Sequence, residues 1–166
     1  PVGPLIDRLA QQGNDRAIDF PRARLERDTL DFSFSGIKTA VLYHVNGRQG
    51  RERDASSLSA RQKADVAASF QYCAAEILID RLRRAVARYE TRSILIGGGV
   101  SANSTIRRRV LELGPELARA GEPPLPIFIP PLRYCTDNAA MIAGLAQPLF
   151  EAGKVADLDL ETIATV

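Results

Sequence analysis

The segment Ile94-Leu95-Ile96-Gly97-Gly98-Gly99-Val100-Ser101-Ala102-Asn103 constrains this chain more than any other. The run 93–97 is apolar, rich in β-branched residues and too short for a helix, so it predicts a buried parallel strand. It ends in three glycines and passes into a helix from about Asn103. Glycine has no Cβ, so a ligand can come close to the backbone. A helix N-terminus adds unpaired N–H groups and partial positive charge, which suit a phosphate. Three consecutive glycines exceed what a tight turn needs. Gly98, Gly99 and Asn103 are therefore candidate ligand-binding residues, although Asn103 could equally serve as an ordinary helix cap.

Gly97, Gly99 and Ala102 also satisfy the G-x-G-x-x-A spacing of dinucleotide sites. Such a site wants an acidic residue at the end of the next strand, for the ribose. The next strand, within 126–130, runs into Pro130-Pro131 with no acid. An NAD-binding domain is thus a minor alternative.

The order strand, helix, strand, helix over 93–152 predicts a parallel pair with a crossover, hence an α/β layer fold. The last helix, about Asp137 to Ala152, is apolar on most faces and is expected to be buried, with Pro148 kinking or ending it. Just before it, Tyr134-Cys135-Thr136-Asp137-Asn138 lies beyond the C-terminal end of a core strand, where open α/β sheets bind ligands. Asp137 could ligate a metal; alternatively, Thr136 or Asp137 caps the helix.

A third polar cluster is Asp31-Phe32-Ser33-Phe34-Ser35-Gly36-Ile37-Lys38-Thr39. Its alternation predicts a short strand over 31–35, followed by a helix from Ser35 or Gly36. Gly3-Pro4 opens a short helix over 5–12, and 14–30 reads as loop. Residues 46–57 predict a mobile loop. A long helix from Ser59 to Glu90 carries Leu78, Leu82, Ala85 and Tyr89 as a buried stripe and Arg81, Arg84 and Arg88 as a solvated one. Residues 154–166 predict a weakly specified tail.

The chain has 166 residues, 45% hydrophobic and 25% charged, with a net charge of +2. That is the balance of a soluble globular domain, or of one lobe of a larger fold. The charge is too small to imply nucleic-acid binding by itself. Nineteen arginines stand against three lysines, a bias that genome composition explains; Arg107-Arg108-Arg109 is either a solvated helix face or a nucleic-acid contact. Two distant cysteines, Cys73 and Cys135, exclude a zinc ribbon and fit a reducing cytoplasm. His44 is the lone histidine, so no His-based metal site can be assembled from this chain alone. Pro1-Val2-Gly3-Pro4 reads as a cut end rather than a start.

Taken together, these segments resemble the TsaD family, also called Gcp or YgjD and once named O-sialoglycoprotein endopeptidase. The match rests on Gly3-Pro4 before a short helix, Phe20-Pro21-Arg22, the 31–39 cluster, Gly98-Gly99-Val100-Ser101-Ala102-Asn103, and Cys135-Thr136-Asp137-Asn138-Ala139-Ala140-Met141-Ile142-Ala143. It covers residues 1–153.

The resemblance implies a tRNA N6-adenosine threonylcarbamoyltransferase, which moves threonylcarbamoyl from threonylcarbamoyl-adenylate to the adenosine 3′ of the anticodon. It implies a ribonuclease-H-like lobe of the actin-like ATPase, Hsp70 and sugar-kinase superfamily, with the N-terminal lobe missing, a helical insertion over 36–90 and a β-α-β-α core over 93–152. Gly3 and Asn103 match adenylate contacts, with Gly98 and Gly99 beside them, and Asp137 matches a ligand to one divalent metal ion, iron or zinc-like. The family's remaining metal ligands lie in a His-x-x-x-His motif that this chain lacks, and Val2 stands where a second Gly is common. The isolated chain is therefore expected to hold half of a site and to be inactive alone. TsaB-like and TsaE-like proteins are the implied partners. A noncatalytic TsaB-like binding module is the alternative. A glycoprotease-type metallopeptidase is minor, since H-E-x-x-H is absent.

Overall fold

The computed structural model describes residues 2–22, 29–47, 55–118 and 121–161. Most of the loop expected over 46–57, part of the 14–30 loop and the end of the 154–166 tail lie outside the described residues. Among the described residues, five α-helices and two short strands carry the fold: α1 (Val2–Ala10), α2 (Ser35–Asn46), α3 (Ala60–Arg88), β1 (Ile94–Leu95), α4 (Ser104–Glu116), β2 (Ile127–Phe128) and α5 (Ala139–Glu151).

The 29-residue α3 is the spine. Ser59 starts it with a capping box: its hydroxyl accepts from the Gln62 backbone N–H at 3.2 Å, and the Gln62 side chain accepts from the Ser59 N–H at 2.9 Å. The N-terminal half of α3 receives α1. Ala10, Ala67 and Ala68 are buried there, and small side chains let the helices approach closely. Gly13 follows α1, and a Cβ built on it would lie 2.1 Å from the Ala64 carbonyl oxygen, so only glycine fits. The chain then runs back along α3, held by Asn14 N–H to Asp65 at 2.7 Å and Ile18 N–H to the Ser69 hydroxyl at 3.1 Å. Phe20, Ile37, Cys73 and Ile77 form a second cluster that fixes α2.

The C-terminal half of α3 packs on α4 and the strands through Ala75, Ile79, Ile94, Ile106, Val110 and Leu113. The strands pair in parallel, Ile94 opposite Ile127 and Leu95 opposite Phe128, as the strand-helix-strand order requires. The described α/β core is this two-stranded parallel sheet with α3 and α4 packed on one face.

Several expectations are corrected. The sheet is covered on one face only: Ile94 is buried, whereas Leu95 is 74% and Phe128 59% exposed. α5 is exposed along its whole length instead of buried, because no described element packs on it. It ends at Glu151, three residues after Pro148.

Residues 31–35 form no strand. A strand needs a ladder partner, and this segment has none; Phe32 stacks on Phe34 instead, and Phe34 turns towards the Phe20 cluster. Of the expected stripe on α3, Leu78 and Leu82 pack partly buried against the core, whereas Tyr89 is exposed, and the deepest stripe is another one. It lies at Ala64, Ala68, Gln71, Ala75 and Ile79. Arg81 is not solvated but 6% exposed, with its Nε donating to the Asp31 carbonyl at 3.1 Å. Arg84 is half-buried and pairs with Asp80.

Candidate functional site

The glycine turn follows β1 directly. Gly98 has φ +86°, a left-handed conformation that favours glycine, and it leads into a single tight helical turn, Gly99–Ala102. A Cβ added at Gly97, Gly98 or Gly99 would meet nothing within 4 Å, so internal packing does not demand glycine there and the backbone is open on that side. The Ser101 hydroxyl donates to the Gly98 carbonyl at 2.7 Å and closes the turn.

Asn103 stands at the junction of this turn with α4. Its Oδ1 accepts from the Ile106 N–H at 3.0 Å, so it is the helix cap. Its Nδ2 donates to Gln71 Oε1 at 2.5 Å and lies 3.3 Å from Asp7 Oδ1. Asp7 accepts from the Ser104 N–H at 3.2 Å and the Ser104 hydroxyl at 2.7 Å. This corrects one expectation. The N-terminus of α4 is already faced by a carboxylate, so an incoming phosphate would meet the glycine turn rather than a bare helix end.

Gly3 lies one turn before Asp7 on α1, exposed and with open space around it. Asp7 therefore brings the helix of Gly3 against the element of Asn103. Residues i and i+4 share a helix face, which places Gly3 and Asp7 on one side of α1. Sequence reasoning missed both Asp7 and Gln71. The available signal was a glutamine at an inward position of α3, in a stripe otherwise made of alanine and isoleucine.

Asp137 sits apart from this network. It is exposed and precedes Asn138, whose side chain accepts from the Met141 N–H at 3.0 Å; Asn138, rather than Thr136 or Asp137, caps α5. Among the described residues no group of three or more His, Cys, Asp or Glu could hold a metal ion. These residues alone do not form a metal centre. The loop is nevertheless tied to the glycine turn. Arg107 on α4 donates from one guanidinium nitrogen to the Ser101 carbonyl at 2.9 Å and the Pro130 carbonyl at 3.0 Å, with Cys135 Sγ at 3.6 Å.

Arg107-Arg108-Arg109 is no free basic patch. Arg108 pairs with Glu112 at 3.3 Å, and Arg109 pairs with Glu112 and with the buried Glu76. Those carboxylates, Glu76 first, raise the Arg109 pKa, and Arg109 in turn lowers that of Glu112. A concavity of about 570 Å³ beside Ala10, Gly13, Asn14, Ser104 and Arg108 contains none of the glycine-turn residues. No helix among the described residues is long and apolar enough to cross a membrane.

The family model described as TsaD, tRNA N6-adenosine threonylcarbamoyltransferase, matches residues 1–144. A protein of that name from Moorella thermoacetica is 45% identical over 164 residues, 98% of this chain and 44% of the relative. One from Clostridium beijerinckii is 42% identical over 96% of this chain and 44% of its own length, and one from Clostridioides difficile is 40% identical over 98% and 45%. The chain spans less than half the length of these curated relatives. With a family match over residues 1–144 and relatives 40–45% identical along nearly its whole length, the chain belongs to the TsaD family.

Proposed function

We propose that this chain is the adenylate-holding part of a tRNA N6-adenosine threonylcarbamoyltransferase. The observation that carries this reading is the open glycine turn 97–99, running directly into Asn103, which is fixed in place against α1. Gly98 and Gly99 admit the nucleotide to the backbone, Asn103 presents its amide, and Gly3 leaves room along α1. The donor is threonylcarbamoyl-adenylate and the acceptor is the N6 amine of the adenosine 3′ of the anticodon in tRNA. The amine nitrogen forms a bond to the carbamoyl carbon, the bond from that carbon to the adenylate oxygen breaks, AMP leaves and the amine loses a proton. Oriented dipoles around a developing oxyanion favour such a substitution. No residue of this chain is assigned the proton transfer.

The finer fold belongs to the same proposal. The bare sheet face at Leu95 and Phe128 and the uncovered α5 suit a ribonuclease-H-like lobe of the actin-like ATPase superfamily, packed against a further lobe of a longer protein. Asp137 would supply one carboxylate to a divalent metal whose other ligands come from outside this chain, the metal offsetting anionic charge. TsaB-like and TsaE-like proteins would be its partners, in the cytoplasm where tRNA is modified.

The test is calorimetric titration of this chain with AMP, using Asn103→Ala as control and NADH as competitor. Binding lost in the variant and unaffected by NADH is the expected result. Binding that survives in Asn103→Ala, or is displaced by NADH, would reject the assignment.

A further inference from the structure

Gln71 lies midway along α3 and is 5% exposed, at an inward position between Ala68 and Ala75. A buried amide is costly unless its polar atoms are paired. Here Nε2 donates to Asp7 Oδ1 at 3.1 Å and to Thr105 Oγ1 at 3.2 Å, while Oε1 accepts from Asn103 Nδ2 at 2.5 Å. One polarity satisfies the whole chain of contacts. The Ile106 N–H is a donor, so Asn103 must turn its oxygen towards it. The Asn103 NH₂ then faces α3, where Gln71 must present its oxygen. The Gln71 NH₂ is left facing Asp7, whose ionised carboxylate only accepts.

We infer that Gln71 is a positioning residue for Asn103, setting its rotamer and amide orientation before adenylate arrives. The inference rests on the adenylate reading of Asn103. Of the two Asn103 amide hydrogens, the one to Gln71 is held at 2.5 Å and the one to Asp7 at 3.3 Å. The hydrogen directed at Asp7 makes the longer contact, and an adenylate oxygen can share it or take it over from Asp7 without breaking the bond to Gln71. Holding a binding group in its productive geometry in this way lowers the ordering cost at the moment of binding.

Two measurements on this chain test the inference: the side-chain ¹⁵N–¹H signals of Asn103, and AMP affinity by calorimetry. Gln71→Met keeps the volume and removes both polar atoms. It should move the Asn103 amide signal to the position of a solvent-exposed asparagine and weaken AMP binding about tenfold. Gln71→Glu combined with Asp7→Asn keeps an acceptor oxygen for Asn103 and turns the Asp7 position into a donor towards residue 71, so this double variant should retain that signal and most of the affinity. If Gln71 were merely structural, both variants would lower the melting temperature and leave the Asn103 signal and AMP affinity unchanged, and the inference would fall. Should Gln71→Met not fold, the wild-type chain still decides: fast-exchanging Asn103 amide protons at free-amide shifts would overturn the positioning role. If the wild-type chain does not bind AMP, or binds it equally well as Asn103→Ala, the adenylate reading fails separately and the amide signal alone judges Gln71.

Discussion

Arg107 donates to the Pro130 carbonyl oxygen at 3.0 Å and so ties the first turns of α4 to the end of β2. The same nitrogen reaches the Ser101 carbonyl, so one guanidinium sets the spacing between the glycine turn and the loop that carries Asp137. Cys135, 2% exposed, is sealed beneath this clamp.

Arg107→Met should therefore loosen the loop more than the rest of the chain. Hydrogen bonds from a charged donor contribute about 1.5–3 kcal/mol each, so alkylation of Cys135 should accelerate by about tenfold or more. Cys73 is the internal control. Burial pushes its thiol pKa up, and its labelling should stay slow in both proteins. Equal acceleration at both cysteines, read by mass spectrometry, would show general destabilisation instead of a local clamp.

Glu76 is buried on α3 and shared by Arg109 and, at 3.9 Å, Arg22. Removing Arg109 leaves the buried Glu76 with the weaker compensation of the half-exposed Arg22 at 3.9 Å. Arg109→Met should cost about 3 kcal/mol in urea denaturation. The double variant Glu76→Leu with Arg109→Met should recover most of that loss, since no charge is then stranded. A double variant less stable than Arg109→Met would disprove this account.

Acid should weaken the contact between α3 and α4. The Arg83 guanidinium grips Glu116 through two hydrogen bonds of 2.6 and 2.8 Å and holds its pKa below the ordinary 4.5. Because the folded-state value is depressed, this contribution is complete above pH 4.5 and is lost as pH falls through the folded-state value. Glu116→Gln should make stability less dependent on pH below 4.5. An unchanged acid limb in urea melts at stepped pH would exclude this pair as a contributor.

Gly13→Ala should be costly, because its Cβ would overlap the Ala64 carbonyl oxygen at 2.1 Å. Overpacking of this kind costs about 1–3 kcal/mol. Gly99→Ala, where the added Cβ meets nothing within 4 Å, should be nearly neutral in stability. A thermal melt of both variants reads the contrast.

The local grammar of the chain was legible in its sequence. Ser59 and Gln62 mark the start of α3, the glycines mark the turn after β1, and the strand-helix-strand order implies parallel pairing. What failed depended on contacts distant in sequence. Periodicity favoured leucines over the small alanines at 64, 68 and 75, although close helix contact selects small residues. Arg81 looked like a solvated charge because its acceptor, the Asp31 carbonyl, lies 50 residues away. Asn103 was recognisable as a cap or ligand contact, but Gln71 and Asp7, 32 and 96 residues away, carry no local mark of joining it. The apolar pattern of α5 records a preference for burial and does not say what provides it.

That last point bears on the time scale over which the chain is ordered. α5 is a 13-residue helix with a proline at its fourth residue from the end and no described neighbour packed on it. Helices of this length are marginal in water without tertiary support. Its amides should exchange with solvent almost as quickly as those of an unstructured peptide, whereas the centre of α3 should exchange only on global unfolding. Asp137, immediately before α5, would then share that rapid opening, and its carboxylate would acquire a fixed direction only when something settles over the helix behind it.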